Sequence, residues 1–304
     1  MAGPEVENAR RYLAGQAAAG AGWWIAVFTS DRVRDATLGD LSPAWLVGPD
    51  LVLFVGGSAL AARGSATWGW VTLAWTTAVT VGLWAYALAT GGAGWGALAM
   101  TVAVVGTAAA ALTLALGRLP THWITVGPFA FRPAPERAPG SHLRHSLQQL
   151  VVFWVTFFVA VPLVLAAVER RIGLRWSALD GPVVRVAGIG LLVVFSGVGI
   201  WSCLSMALRG EGTPLPSATA QKLVVVGPYR FVRNPMAVAG LAQTTGVGLV
   251  LGAWTVIVIA LAGAILWDAL IRPQEEHDLA ERFGPSFERY CAEVRCWVPR
   301  PPST

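Results

Sequence analysis

LVVVGPYRFVRNPMAVAG, residues 223–240, sets two arginines, Arg230 and Arg233, in a Gly-Pro-Tyr turn between apolar residues. Gly227-Pro228 marks one turn, and Asn234-Pro235 marks a second where an apolar run begins. A basic, turn-forming segment therefore meets the membrane where a helix starts. Such an entrance offers unpaired backbone N–H groups and the positive end of a helix dipole. With two arginines it suits a carboxylate or a phosphate. The plainer alternative is a juxtamembrane loop that obeys the positive-inside rule.

The chain around this stretch has the composition of a membrane protein. Of its 304 residues 55% are hydrophobic and only 13% charged, with 15 Trp and 34 Gly. A soluble domain carries about 25% charged residues. The formal charge of +5 fits loops facing anionic lipid. No basic run with interleaved aromatics argues for nucleic acid. Cys203, Cys291 and Cys296 form no C-x-x-C pair, so neither a metal site nor a redox pair is indicated. The N-terminal MAGPEVENARR and the Ala/Gly-rich stretch after it, interrupted by Gln16, make a poor signal peptide.

Leu13 to Phe28 is short and Gly-rich, and reads as an interfacial or partly buried helix, with an extra span as the alternative. Asp31, Arg32, Arg34, Asp35 and Asp40 then read as a polar linker. Seven longer apolar segments follow, at roughly 44–62, 68–90, 95–117, 147–168, 182–208, 236–252 and 254–272. A bilayer core takes about 20 helical residues at about 1.5 Å each, a length the first five meet. The last two, joined at Ala253, read as a tight hairpin. Gly248 and Gly252 have the small-xxx-small spacing that lets helices approach, or are ordinary glycines of a membrane helix. The expected fold is all-α: a polytopic membrane helical bundle of about seven transmembrane helices with a cytoplasmic C-terminal amphipathic helical tail. In the tail, Leu279, Phe283, Phe287, Tyr290 and Val294 recur every three or four residues and make one apolar face. That face is expected to cover the 209–235 loop.

Arginines concentrate at 118–146 (Arg118, Arg132, Arg137, Arg144) and at 209–235 (Arg209, Arg230, Arg233, with Lys222). The positive-inside rule puts both loops and the tail in the cytoplasm. Arg170, Arg171 and Arg175 run against that assignment. Val126-Gly127-Pro128-Phe129 echoes Val226-Gly227-Pro228-Tyr229, but without the Arg-Asn-Pro ending it reads as shared turn chemistry rather than duplication. Two regions are expected: 1–146, about three spans with a cytoplasmic loop, and 147–304, which carries the motifs.

The motifs form an ordered set. Gly227-Pro228-Tyr229 and Arg233-Asn234-Pro235 precede the hairpin. Glu275-Glu276 with Leu279, Phe283-Gly284 with Phe287, and Val294 with Trp297-Val298-Pro299 follow it. Together they resemble the isoprenylcysteine carboxyl methyltransferase and phospholipid methyltransferase superfamily over roughly the last third of the chain. Gly212-Thr213-Pro214 is similar to its bacterial members. The resemblance implies an integral membrane methyltransferase that uses S-adenosylmethionine on a lipophilic acceptor: an isoprenylcysteine-like carboxylate, an amino phospholipid or a small thiol. It implies that Leu223, Val224, Gly227, Tyr229, Arg233, Asn234, Pro235, Met236 and Glu275 form the cofactor site. Arg272 would meet the acceptor, and Glu276 or His277 would take a proton from an amine or thiol. Many members have His at Asn234 and Tyr at Ala237, so this chain loses a titratable group and a ring. No Gly-rich fingerprint of the soluble nucleotide-binding kind appears, since Gly188 and Gly190 lie within an apolar helix.

Each residue also has a plainer reading. Glu275 and Glu276 follow Pro273 at a helix start, where acids stabilise the dipole by a few tenths of a kcal/mol to about 1. Asp268 and Arg272 have the i,i+4 spacing of a simple ion pair. Gln243, Thr244 and Thr245 either line an acceptor cavity or join helices. His142 and His145 have possible ligand spacing but no carboxylate or cysteine cluster nearby. A second class of function is a non-catalytic membrane scaffold or lipid-binding protein that kept the fold. A groove joining Tyr229, Asn234 and Glu275 separates the two readings: open space favours the enzyme, and filled space the scaffold.

Overall fold

The structure is a computed structural model that describes residues 3–121, 139–210 and 220–299. The 126–129 echo, Gly212-Thr213-Pro214, Arg132 and Arg137 lie outside the described residues. Those described form helices and turns, with no strand among them. Six helices are long and apolar enough to cross a membrane: Pro43–Ala62, Ala66–Thr90, Gly94–Leu116, Ser146–Arg171, Pro182–Arg209 and Trp254–Phe283. The remaining expected span, Pro235–Leu251, is an apolar helix of 17 residues.

The chain divides into two compact units: Met1–Pro120 with Val168–Leu174, and Thr121–Ala167 with Arg175–Thr304. In the first, α1 (Pro4–Thr29) has proline in its first turn beside Glu5 and Glu7. It packs on α3 (Pro43–Ala62) and α5 (Gly94–Leu116), while α4 (Ala66–Thr90) packs on α5. Ala9, Leu13, Ala61 and Ala110 form one buried cluster, and Trp24, Val27 and Leu38 another. The expected polar linker is instead a short helix, α2 (Asp31–Leu38), because the Ser30 side chain accepts from the Val33 N–H and caps it. Polar side chains inside this unit join its helices. Gln16 accepts from Tyr12 at 2.7 Å and from Thr107 at 3.1 Å, and donates to Ser58 at 3.0 Å.

The second unit contains α6 (Pro139–Val155), which runs through a π-helical turn at Thr156–Ala160 towards α7 (Val161–Arg171). It also contains α8 (Pro182–Arg209) and the hairpin of α9 (Pro235–Leu251) and α10 (Trp254–Leu266). A π-helical turn at Trp267–Ile271 carries α10 into α11 (Arg272–Phe283), and α12 (Pro285–Glu293) follows. The small-residue contact differs from the expected one. Gly252 adopts φ 64° and ends α9, so it serves the turn rather than a helix interface. The close approach of α8 and α9 falls at Gly188 and Gly246, where a Cβ on either would lie 2.7 Å from the other's carbonyl oxygen. Gly248 faces Ile257 across the hairpin. Gln243 accepts from Trp154 at 3.1 Å and from Ser196 at 3.0 Å, and thereby ties α9 to α6 and α8. That is the joining role.

Candidate functional site

The site is built on the loop that enters α9. Gly227 takes φ 61° and opens a short 3-10 turn, Gly227–Arg230. A Cβ there would collide with the Ser205 hydroxyl and lie 3.1 Å from Trp201 Nε1, so loop and α8 touch only because the residue is glycine. The turn drives the Tyr229 ring inward until it is 5% exposed. Burial, then the neighbouring Tyr290 and Glu275, push the Tyr229 phenol well above its usual range, so it stays neutral and can donate. At Asn234 the side-chain oxygen accepts from Ala237 N at 2.9 Å and caps α9, with Pro235 in the first turn. The capping leaves the Asn234 amide N–H2 to serve as a donor.

The tail closes over this loop. Phe287, Tyr290 and Val294 cluster with Leu223, Leu279 and Phe283, as the apolar periodicity predicts. Tyr290 donates to the Tyr229 carbonyl at 2.6 Å. Arg233 is the main fastener: it reaches the carbonyls of Val294 at 2.7 Å and Cys291 at 3.3 Å, and Glu276 at 2.7 Å. Its backbone N–H donates to the Arg295 carbonyl at 2.9 Å. Asp268 takes Trp297 Nε1 at 2.5 Å and pairs with Arg272 at 3.1 Å, which fixes the end of the tail to the π-helical turn. Arg282 donates to the Ala220 carbonyl.

Between loop and tail lies a cavity of about 390 Å³, within the range of small-molecule sites. Leu223, Val224, Tyr229, Arg233, Asn234 and Met236 line it from the loop and the start of α9. Arg272, Glu275 and Glu276 line it from α11. Gly227 and Pro235, also expected in the cofactor site, are not on its lining. Ala237 stands on the wall, so the ring missing there leaves space. His277 is outside the cavity, exposed and paired with Glu281 at 3.2 Å. Gln149, Leu150 and Phe153 of α6, Met206 of α8 and Trp267 also line it. None of these five belongs to a motif. The one signal the sequence offered was the polar Gln148-Gln149 pair at the head of an apolar segment.

Three polar atoms on its lining residues are left over. Gln149 Oε1, Arg233 Nε and Arg272 Nε are buried without a hydrogen-bond partner, although Arg272 Nε lies 3.1 Å from Asp268. Glu275, half-buried, makes no ion pair or side-chain hydrogen bond among the described residues. A polar ligand would satisfy such groups. Among the described residues no group of three or more His, Cys, Asp or Glu side chains is placed to hold a metal. The side chains of His142 and His145 lie outside the described residues.

The cavity is thus walled by a helix entrance and a folded-back tail. The family model described as phospholipid methyltransferase matches residues 184–286, which hold the loop, the hairpin and α11. The chain is also similar to the cobalt-zinc-cadmium resistance protein CzcN of Cupriavidus metallidurans, at 32% identity over 129 residues. That match covers 41% of this chain and 54% of the relative, so the chain spans about half the length of the curated relative it matches. No solved structure matches.

Proposed function

We propose that the second unit is an S-adenosylmethionine-dependent methyltransferase acting on a lipophilic acceptor. The observation that carries this reading is the open cavity on which Tyr229, Asn234 and Glu275 converge. Packed side chains in that space would have favoured the scaffold. The residues present fit the cofactor, since a free carboxylate, an amide donor and an aromatic ring match its amino and hydroxyl groups and its base. When bound, S-adenosylmethionine supplies a methyl group already activated on sulfonium, so the protein's task is alignment and exclusion of water.

Glu275 would accept from the cofactor's amino or hydroxyl groups, and Asn234 would donate to it through its amide nitrogen. The Tyr229 ring would pack against the cofactor, with Leu223, Val224 and Met236 on the same cavity wall. Arg233, held to the tail and to Glu276, keeps the cover shut. Leu150, Phe153, Trp267 and Ile271 give the cavity an apolar wall for the lipophilic part of the acceptor. Arg272, held by Asp268, meets its polar end. Glu276 is engaged by Arg233, so it is poorly free to take a proton. A carboxylate acceptor, which has none to lose, therefore suits the site better than an amine or a thiol. A cytoplasmic cofactor would need this cavity to open on the cytoplasmic side, and the positive-inside rule assigns the tail to that side.

Calorimetry on the detergent-purified protein tests this reading. Saturable S-adenosylmethionine binding is expected, weakened at least tenfold by Glu275→Ala and by Tyr229→Ala. No binding by well-folded parent protein overturns the reading. With a labelled methyl donor, transfer to a lipid-linked carboxylate is expected to exceed transfer to phosphatidylethanolamine.

A further inference from the structure

The first unit contains a larger cavity of its own, about 890 Å³. Its lining is almost wholly apolar and aromatic, with Asp50 as the one carboxylate. Asp50 is 7% exposed and sits within the spanning helix α3. Trp24 Nε1 donates to its Oδ2 and Trp75 Nε1 to its Oδ1, each at 2.8 Å. The helix is irregular at this point: Pro49 lies inside it, and a π-helical turn, Leu51–Gly56, begins at the next residue. Such turns recur at functional sites, and an acidic side chain within a membrane span is costly without compensation.

The compensation is incomplete. No arginine, lysine or histidine pairs with Asp50 among the described residues. The basic residue on the cavity wall is Arg11, which is exposed and paired with Glu7 at 3.3 Å. Arg11 stands thirteen residues from Trp24 along α1, a distance of about 20 Å. Both carboxylate oxygens accept an indole N–H, and no positive partner stands beside them among the described residues. The rings that orient it, with Trp23 beside them, present faces of the kind that attract cations. We infer that this cavity binds a lipophilic cation, its positive centre paired with Asp50 and its apolar groups packed among Trp23, Trp24 and Trp75. The site is separate from the methyltransferase cavity and does not depend on it.

The test uses the full chain in lipid nanodiscs, with binding to empty discs subtracted. Tetraphenylphosphonium and tetraphenylborate have the same shape and opposite charge. Equilibrium dialysis is expected to show one saturable site per chain for the cation and none for the anion. Excess S-adenosylmethionine should leave the cation bound, which separates this site from the other cavity. Asp50→Asn, which keeps the shape and removes the charge, is expected to weaken binding at least tenfold. Trp75→Phe, which keeps a ring and removes one N–H, should weaken it several-fold. Equal binding of the anion, displacement by S-adenosylmethionine, or full cation binding by folded Asp50→Asn protein each overturns the proposal. So does the absence of a saturable cation site in the parent, a result that requires no variant to fold.

Discussion

The two cavities handle charge in opposite ways. In the second unit every charge near the cavity stands at a helix end, in the loop or in the tail, and most are paired: Arg233 with Glu276, Arg272 with Asp268, Arg282 with Asp278. In the first unit the carboxylate on the cavity wall, Asp50, lies inside a spanning helix, and the hydrogen bonds it accepts among the described residues come from two neutral indoles. The lesson is that charge placed where water can reach serves to fasten a cover, and its energy is shared among several partners. Charge placed within a span has few partners, so its environment is more specific.

The largest expected effect separates fastening from ligand binding. Arg233→Ala removes two tail carbonyl bonds and leaves Glu276 without its partner, which is expected to cost roughly 3 kcal/mol. Limited proteolysis should release the tail, and thermal denaturation in detergent should fall. Gly227→Ala comes next, at about 2 kcal/mol, because it adds a strained φ to a collision with Ser205. Combining it with Ser205→Gly should recover the collision but not the backbone part, about 1 kcal/mol. In the first unit, Gln16→Leu breaks bonds to Tyr12, Ser58 and Thr107, with an expected loss of about 1–2 kcal/mol. Gln243→Leu in the second unit loses the Trp154 and Ser196 bonds and should cost about 1 kcal/mol. If Gln16→Leu proves milder than Gln243→Leu, the ranking by the number of hydrogen bonds lost to other side chains fails. His277→Ala, on an exposed helix face, should stay within about 0.5 kcal/mol.

The elements that the sequence made legible share one property: their evidence is local. Apolar runs located the spans to within a few residues, and Asn234-Pro235 marked the start of α9 because cap and proline are neighbours in the chain. The tail's apolar face was legible for the same reason. Asp31 to Leu38 was less so, since the Ser30 cap competes with five charged residues that read as a linker. Within the cavity, the loop and α11 residues were found through their motifs. The walls from α6 and α8 were not, because nothing in the spacing of Gln149 or Met206 announces a neighbour many residues away.

By itself the sequence determined a helical membrane protein with a basic helix entrance, a hairpin and an amphipathic tail. Composition and short-range periodicity suffice for that, since the bilayer accepts little else than helices. Only the tertiary structure decided that Arg233 fastens the tail, that Gly188 meets Gly246, that the space beside Tyr229 is open, and that Asp50 faces two indoles with no counter-ion among the described residues. Each of these depends on which distant residues come into contact. That is settled by the packing of whole helices, which the local pattern along any one of them does not encode.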